Sequence, residues 1–142
     1  MTAPSSTFNA AELQFGEHFT FPRSMALSNA EVASIYKTRY AQFEKIQSEN
    51  PSANLHLPSN FLAVMNYADT FAPEPVKRNL PLLHTLQGSL IQKRFDPFEI
   101  ACMFNFLPDD YDEALALLPS LGRFDQHEVE DALQDIAKVA TS

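Results

Sequence analysis

Several residue types on which enzymes and secreted proteins rely are scarce in this chain of 142 residues. Cys102 is the only cysteine, which excludes an internal disulfide and a metal site built from several cysteines. Three glycines are too few for a loop that wraps a phosphate. No apolar run approaches the roughly 20 residues that span a bilayer, and residues 1–11 lack the regions of a signal peptide. We therefore expect a soluble protein of a reducing intracellular compartment.

Side chains that could carry out catalysis are equally sparse. Cys102 falls within the most apolar predicted helix, where burial keeps a thiol protonated and unreactive. Acidic pairs near Asp109 fall in the first turn of a predicted helix, where they complement its dipole. No histidine has a second histidine or a cysteine at metal-ligand spacing, and the four are His18, His56, His84 and His127. We expect no enzymatic activity, no cofactor and no metal.

Negative charge is concentrated at the C-terminal end. From Pro108 onward nine acidic residues stand against two basic ones, so this part carries −7 of the total charge of −8. Such a surface repels phosphate backbones, and nucleic-acid binding through it is not expected. Two interpretations remain open: a solvated helical surface, or a docking surface for a basic partner.

Residues 13–21 (LQFGEHFTF) alternate as a β-strand does. The apolar face consists of Leu13, Phe15, Phe19 and Phe21. Ordering the backbone costs roughly 1–2 kcal/mol of conformational entropy per residue. Burying four large apolar side chains returns only about 1.5–3 kcal/mol each. No other segment predicts a strand that could supply the missing hydrogen bonds, so we predict pairing with the sheet edge of another protein. The alternative is an arm lying across the chain's own helices.

Helices are predicted for most of the chain after Pro22. Ser28 and Glu31 have capping-box spacing and begin a helix that runs to about Gln47. Its apolar stripe is Val32, Ile35, Tyr36, Tyr40, Phe43 and Ile46. Later helices are predicted over residues 59–71, 80–92, 98–106, 110–118 and 126–139, with residues 48–58 and 72–79 as connections. Their predicted caps are Ser59, Asp96, Asp109 and Asp125. Asp96 and Glu99 also have capping-box spacing, with Pro97 at the first helical position.

The helix over residues 98–106 is apolar nearly all round, so we expect it to lie at the centre of the molecule. Gly88 lies within the preceding helix and predicts a close helix crossing. Leu82, Leu83, Leu86, Leu90 and Ile91 are expected to face inward from that preceding helix. The predicted core positions are Phe98, Ile100, Ala101, Leu118, Leu121 and Leu133.

Basic residues near the first helix suggest one further alternative. Arg23, Lys37, Arg39 and Lys45 lie near Tyr36 and Tyr40, a mixture suited to single-stranded RNA. Because the tyrosines share the apolar stripe, we interpret them as packing residues.

Four segments carry a family resemblance. LQFGEHF (13–19) resembles a Leu-x-Leu-Gly-x-Glu-Phe arm, and DPFEIACMFNFLP (96–108) resembles x-x-Phe-Glu-[Leu/Ile]-Ala-x-Leu-x-Asn-Leu-x-Pro. DEALALLPSLGRFDQHEVEDALQDI (112–136) resembles a Pro-Ser-Leu motif followed by an acidic helix, and VMNYADTF (64–71) resembles a helix ending Tyr-x-x-x-Phe. Together they resemble the family formed by the fourth subunit of eukaryotic RNA polymerase II and its archaeal counterpart. Phe104 and Leu115 depart from the family pattern.

The resemblance implies a mainly α fold. A loose tail (1–11) and a partner-clamping segment (12–58) would precede a helical domain (59–142) like the helicase-and-RNase-D C-terminal (HRDC) module. The clamp would use the arm and first helix, with Leu13, Phe15, Phe19, Phe21, Tyr36, Tyr40 and Phe43 as partner-binding residues.

The partner implied by the resemblance is the seventh subunit of RNA polymerase II, which would also make the RNA contacts. The protein would then be a non-catalytic nuclear subunit acting in transcription initiation and transcript handling, without a membrane or small-molecule ligand. The alternatives are the equivalent subunit of RNA polymerase III, a free-standing HRDC-type nucleic-acid-binding module, and an unrelated helical adaptor with an acidic docking end.

Overall fold

A computed structural model describes residues 9–15 and 26–141. Within these residues the structure is helical, which confirms the mainly α prediction. The α-helices are α1 (Asn29–Glu49), α2 (Phe61–Phe71), α3 (Glu74–Arg78), α4 (Leu80–Gln92), α5 (Pro97–Phe106), α6 (Tyr111–Leu117) and α7 (Gln126–Ala140). Two 3₁₀ turns, Ala10–Glu12 and Pro119–Arg123, complete the described elements. None of the helices in this part of the chain is both long and apolar enough to cross a membrane.

Helix α5 lies at the centre of the core, as its apolar sequence predicts. Met103 and Phe104 are fully buried, and α4, α6, α7 and the Pro119–Arg123 turn surround them. Among the predicted core positions, the structure buries Ile100, Ala101, Leu118, Leu121 and Leu133, while Phe98 is half-buried against the same cluster.

Two helices begin with the capping boxes that their sequences predict. Ser28 accepts a hydrogen bond from the Glu31 amide, and the Glu31 carboxylate accepts one from the Ser28 amide at 2.9 Å. Asp96 and Glu99 make the corresponding pair at α5, where the Asp96 amide lies 2.8 Å from the Glu99 carboxylate. Both helices therefore begin at well-defined positions.

Three predictions about helix bounds are wrong. Helix α2 begins at Phe61 after Asn60, and no side chain caps it, so the predicted cap at Ser59 is wrong. The N-cap of α6 is Asp110, whose carboxylate accepts from the Glu113 amide at 2.8 Å, whereas Asp109 donates its own amide to the Glu113 side chain. The predicted connection over residues 72–79 contains α3. Pro73 and Pro75 lie at the N-terminal end of this short helix, where a missing N–H costs nothing, so they do not prevent it.

Three expectations for α4 are also wrong. Leu82 and Ile91 are 52% and 45% exposed, because the helix packs through Leu83 and Leu90, and the two exposed residues flank that stripe on either side. A Cβ placed on Gly88 would meet no atom within 4 Å, so Gly88 does not mark a close crossing.

The described part of the N-terminal arm folds back on itself. Leu13 has a left-handed φ of 58°, and Asn9 and Gln14 exchange backbone hydrogen bonds of 2.6 and 2.8 Å. The predicted strand is therefore wrong at Leu13 and Gln14, where a turn satisfies the main chain locally. Phe15 lies 4.7 Å from the Phe98 ring, as expected of an arm lying on its own helices. The rest of the predicted strand, residues 16–21, lies outside the described residues.

Two phenylalanines of α5 test this core. We predict that Phe104→Ala lowers the free energy of unfolding by about 3–5 kcal/mol, because Phe104 is fully buried. Phe106→Ala removes the same side chain where it is 55% exposed and should cost less than about 1 kcal/mol. Chemical denaturation of both variants measures the difference, and equal costs would contradict the central position of Phe104.

Candidate functional site

Glu99 is a fully buried carboxylate whose two oxygens accept hydrogen bonds from three other residues. Oε1 accepts from the Asp96 amide at 2.8 Å and from Arg123 Nη2 at 2.8 Å. Oε2 accepts from Ser120 Oγ at 2.5 Å and from Arg123 Nη1 at 2.6 Å. A carboxylate has about four acceptor positions, so these four bonds use its whole capacity. Glu99 therefore connects parts of the fold, and its carboxylate has no acceptor position left for a substrate.

Arg123 is held as firmly as its carboxylate partner. Its guanidinium also donates to the Ser120 carbonyl at 2.9 Å and to the Arg94 carbonyl at 3.0 Å. The group lies 4.4 Å from the centre of the Phe124 ring. Hydrogen bonds to Glu99 and the charge of that carboxylate raise the pKa of Arg123 against the effect of burial. The planar fork thus joins the start of α5 to the Pro119–Arg123 turn.

This pair brings together two segments that the sequence shows far apart. Glu99 belongs to the Phe-Glu-Ile-Ala segment, while Ser120 and Arg123 belong to the Pro-Ser-Leu-Gly-Arg segment. Sequence analysis identified Glu99 only as a capping residue and did not single out Ser120 or Arg123. The available signal was an acid within an otherwise apolar helix, since a buried carboxylate requires a charged or polar partner.

The remaining reactive side chains form no catalytic constellation in the described residues. Burial, aided by the negative charge of Glu99, raises the pKa of the Cys102 thiol from its usual value of 9.0 to about 11. His84 Nε2 lies 3.2 Å from Glu31, in a pair between α4 and α1. No group of histidine, cysteine and carboxylate side chains in residues 9–15 and 26–141 could hold a metal ion.

Helices α1 and α2 form a hairpin that packs differently from the rest of the molecule. The ring centres of Tyr36 and Tyr40 on α1 lie 4.7 and 6.4 Å from the ring centre of Phe61 on α2. Lys37 of α1 pairs with Asp69 of α2 at 2.6 Å and lowers the pKa of that carboxyl, with a second contribution from Lys77. The hairpin is therefore held by contacts between its own two helices.

The same hairpin leaves much apolar surface uncovered. No residue from 34 to 67 is buried. On α1, Ile35 and Ile46 are 46% and 51% exposed. On α2, Leu62 and Tyr67 are 47% and 61% exposed. A surface with this many large apolar side chains is typical of a protein–protein contact.

Five of the seven predicted partner-binding residues are described, and they lie in two places, the N-terminal turn and α1. Leu13 and Phe15 lie in the N-terminal turn, where Phe15 contacts Phe98 of the chain's own α5. Tyr36 and Tyr40 contact α2, and Phe43 is half-buried further along α1. Phe19 and Phe21 lie outside the described residues. Sequence analysis placed Ile35 and Ile46 in the apolar stripe but did not identify them as exposed.

An uncovered apolar hairpin on a helical bundle is typical of a helical protein that binds other proteins. The profile of the family described as RNA polymerase Rpb4 matches residues 26–140. An Arabidopsis thaliana protein named DNA-directed RNA polymerase II subunit 4 is 29% identical over 135 residues, 92% of each chain. A Dictyostelium discoideum protein named DNA-directed RNA polymerase II subunit rpb4 is 29% identical over 133 residues, 84% of each chain. The chain belongs to the RNA polymerase Rpb4 family, and the resemblance seen in the sequence is confirmed.

The Glu99–Arg123 pair should make a large contribution to holding the Pro119–Arg123 turn against α5. We predict that Arg123→Ala lowers the free energy of unfolding by about 3 kcal/mol, because it leaves Glu99 buried without its cation. The estimate lies at the low end for such changes, since Arg123 is 38% exposed. Arg123→Lys should recover only part of the loss, because a lysine cannot make the two-pronged contact.

A surface pair supplies the control for this prediction. Lys93 Nζ lies 3.9 Å from Asp135 Oδ2, and both side chains are exposed to solvent. Lys93→Ala should change the free energy of unfolding by less than about 1 kcal/mol. Denaturation curves of the two alanine variants measure the contrast, and a loss for Arg123→Ala no larger than that for Lys93→Ala would contradict the buried tie.

Cys102 should react slowly with thiol reagents in the folded protein. A pKa of about 11 instead of 9.0 lowers the thiolate fraction about a hundredfold below pH 9. Labelling at about pH 8 should therefore be at least about a hundredfold slower than in denaturant. Equal rates in the two states would contradict the burial of this thiol.

Proposed function

We propose that the chain is a non-catalytic nuclear subunit of RNA polymerase II and pairs with the seventh subunit of that enzyme. The proposed pair forms the polymerase stalk, which acts in transcription initiation and in handling nascent RNA. Membership of the RNA polymerase Rpb4 family supports this proposal. Both relatives reported above are named as subunits of polymerase II, which favours this enzyme over polymerase III.

The observation that carries the pairing is the uncovered hairpin. Residues 34–67 contain no buried position although both helices carry large apolar side chains. A large apolar side chain gains about 1.5–3 kcal/mol when it passes from full exposure to full burial, so one that is half exposed gains roughly half of that when a partner covers the hairpin. The proposed clamp (12–58) includes α1 of this hairpin. Helix α2 packs against α1 and follows the clamp in the sequence.

Charge supports placing RNA contacts on the partner. The chain carries −7 from residue 108 onward, and Lys37, which follows Tyr36 in the sequence, pairs with Asp69. Tyr36 is half-buried, and the centre of its ring lies 4.7 Å from that of Phe61, as expected of a packing residue. The alternative of a free-standing nucleic-acid-binding module therefore receives no support from this helix.

Co-expression with the seventh subunit tests the proposal. We predict that Ile46→Asp weakens the heterodimer at least about tenfold, because it introduces a charge into an apolar contact. The fold of the Ile46→Asp variant should be unaffected, since Ile46 is 51% exposed. Calorimetric or sedimentation measurements of the dissociation constant provide the result.

Ile91→Asp is the matched control. Ile91 is 45% exposed on α4, away from the hairpin, so the same replacement there should leave the affinity within about twofold. Equal effects of the two substitutions would refute an interface at the hairpin. If the wild-type chain does not bind the seventh subunit at all, the whole proposal is wrong.

The arm provides a separate prediction for the same complex. We expect Phe19→Asp to weaken the heterodimer by at least about 2 kcal/mol, because Phe19 belongs to the apolar face of the segment predicted to join the partner's sheet. Thr20→Asp places the same charge on the opposite face and should have a much smaller effect. Wild-type affinity in the Phe19 variant would contradict strand addition, while leaving the hairpin interface to be judged by Ile46.

A further inference from the structure

A groove of about 470 Å³ lies between residues 107–111 and helix α7, on a surface that the hairpin residues 34–67 do not line. Its floor is apolar. Leu133 and Ile136 of α7 are buried beneath it, and Leu107 and Tyr111 are half-buried along the opposite wall. The left-handed turn at Leu107, with a φ of 45°, bends the chain so that this wall faces α7. The groove could thus bury apolar side chains of a ligand.

Carboxylates stand on both sides of this floor. Asp109 and Asp110 come from the loop before α6, and Glu130 comes from α7; no lysine or arginine lines the groove. Within the described part of the chain, none of these three carboxylates takes part in an ion pair. Asp110 caps α6, but Glu130 lies in the second turn of α7, beyond the first turn where a helix N-terminus favours acids. Capping therefore does not account for the acidic character of both walls.

We propose that this groove docks a basic amphipathic segment of a partner protein, with lysine or arginine side chains on either side of an apolar anchor. An amphipathic helix laid in a groove buries its apolar face on the floor and leaves its charges at the rim. Complementary charge selects such a segment and accelerates its association. The chain's own net charge of −8 disfavours a second copy of itself as the occupant. The groove shares no residue with the hairpin, so its test is separate from the test of the hairpin interface.

The probe is a synthetic helical peptide of about 14 residues, roughly four turns, with leucine along one face and lysine elsewhere. It is titrated into the isotopically labelled full chain and followed by nuclear magnetic resonance. We expect the largest shifts at Tyr111, Gln134 and Ala137, which line the groove. The affinity should fall as salt rises, and it should fall again when the central leucine of the probe becomes alanine. A peptide with glutamate in place of lysine should not bind.

Two double variants that remove the same amount of negative charge distinguish binding in the groove from attraction to the chain's overall charge. Asp109→Asn with Glu130→Gln neutralises both walls and leaves the Asp110 cap intact; it should weaken the probe about three- to tenfold. Asp112→Asn with Glu128→Gln removes the same charge from the first turns of α6 and α7, outside the groove, and should weaken it less than about twofold.

Four outcomes would overturn the proposal. They are equal losses in the two double variants, shifts centred away from the groove, absence of binding by the basic probe, and equal binding of the acidic peptide. A concentration-dependent dimer that the Asp109 and Glu130 changes abolish would assign the groove to a second copy of the chain instead.

Discussion

The buried pair of Glu99 and Arg123 is the interaction on which the C-terminal architecture depends. Removing a carboxylate from water costs several kcal/mol, and only a complete set of donors offsets that cost. Here the set comes from the start of α5 and from a turn 24 residues later, so the carboxylate is satisfied only when the two segments meet. The same guanidinium lies over Phe124, which stacks on Phe95 at 4.3 Å. The entry to α7 is positioned by this contact.

Glu31, the other capping-box glutamate, also contacts a second helix. It caps α1 through Ser28 and also contacts His84 of α4 at 3.2 Å, while the Asn29 amide donates to Asn105 of α5 at 2.7 Å. In both capping boxes the glutamate therefore contributes to tertiary structure as well as to its own helix. The start of α1 is fixed on the core in this way. Its remaining length extends along α2 with no buried position after Ala33.

This arrangement divides the molecule between a packed core and an uncovered hairpin. The boundary predicted from the sequence, between residues 58 and 59, separates α1 from α2, although the two helices pack on each other. The core offers an acidic groove, while the hairpin offers apolar side chains.

The sequence by itself determined what depends on neighbours a few residues away. The capping boxes at Ser28 and Asp96, the bounds of α4 and the central place of α5 could all be predicted from caps and periodicity. Only the tertiary structure decided which helix faces find a partner and that Glu99 meets Arg123. These outcomes depend on which distant segments come into contact, and no local pattern encodes the spatial meeting of residues far apart in the chain.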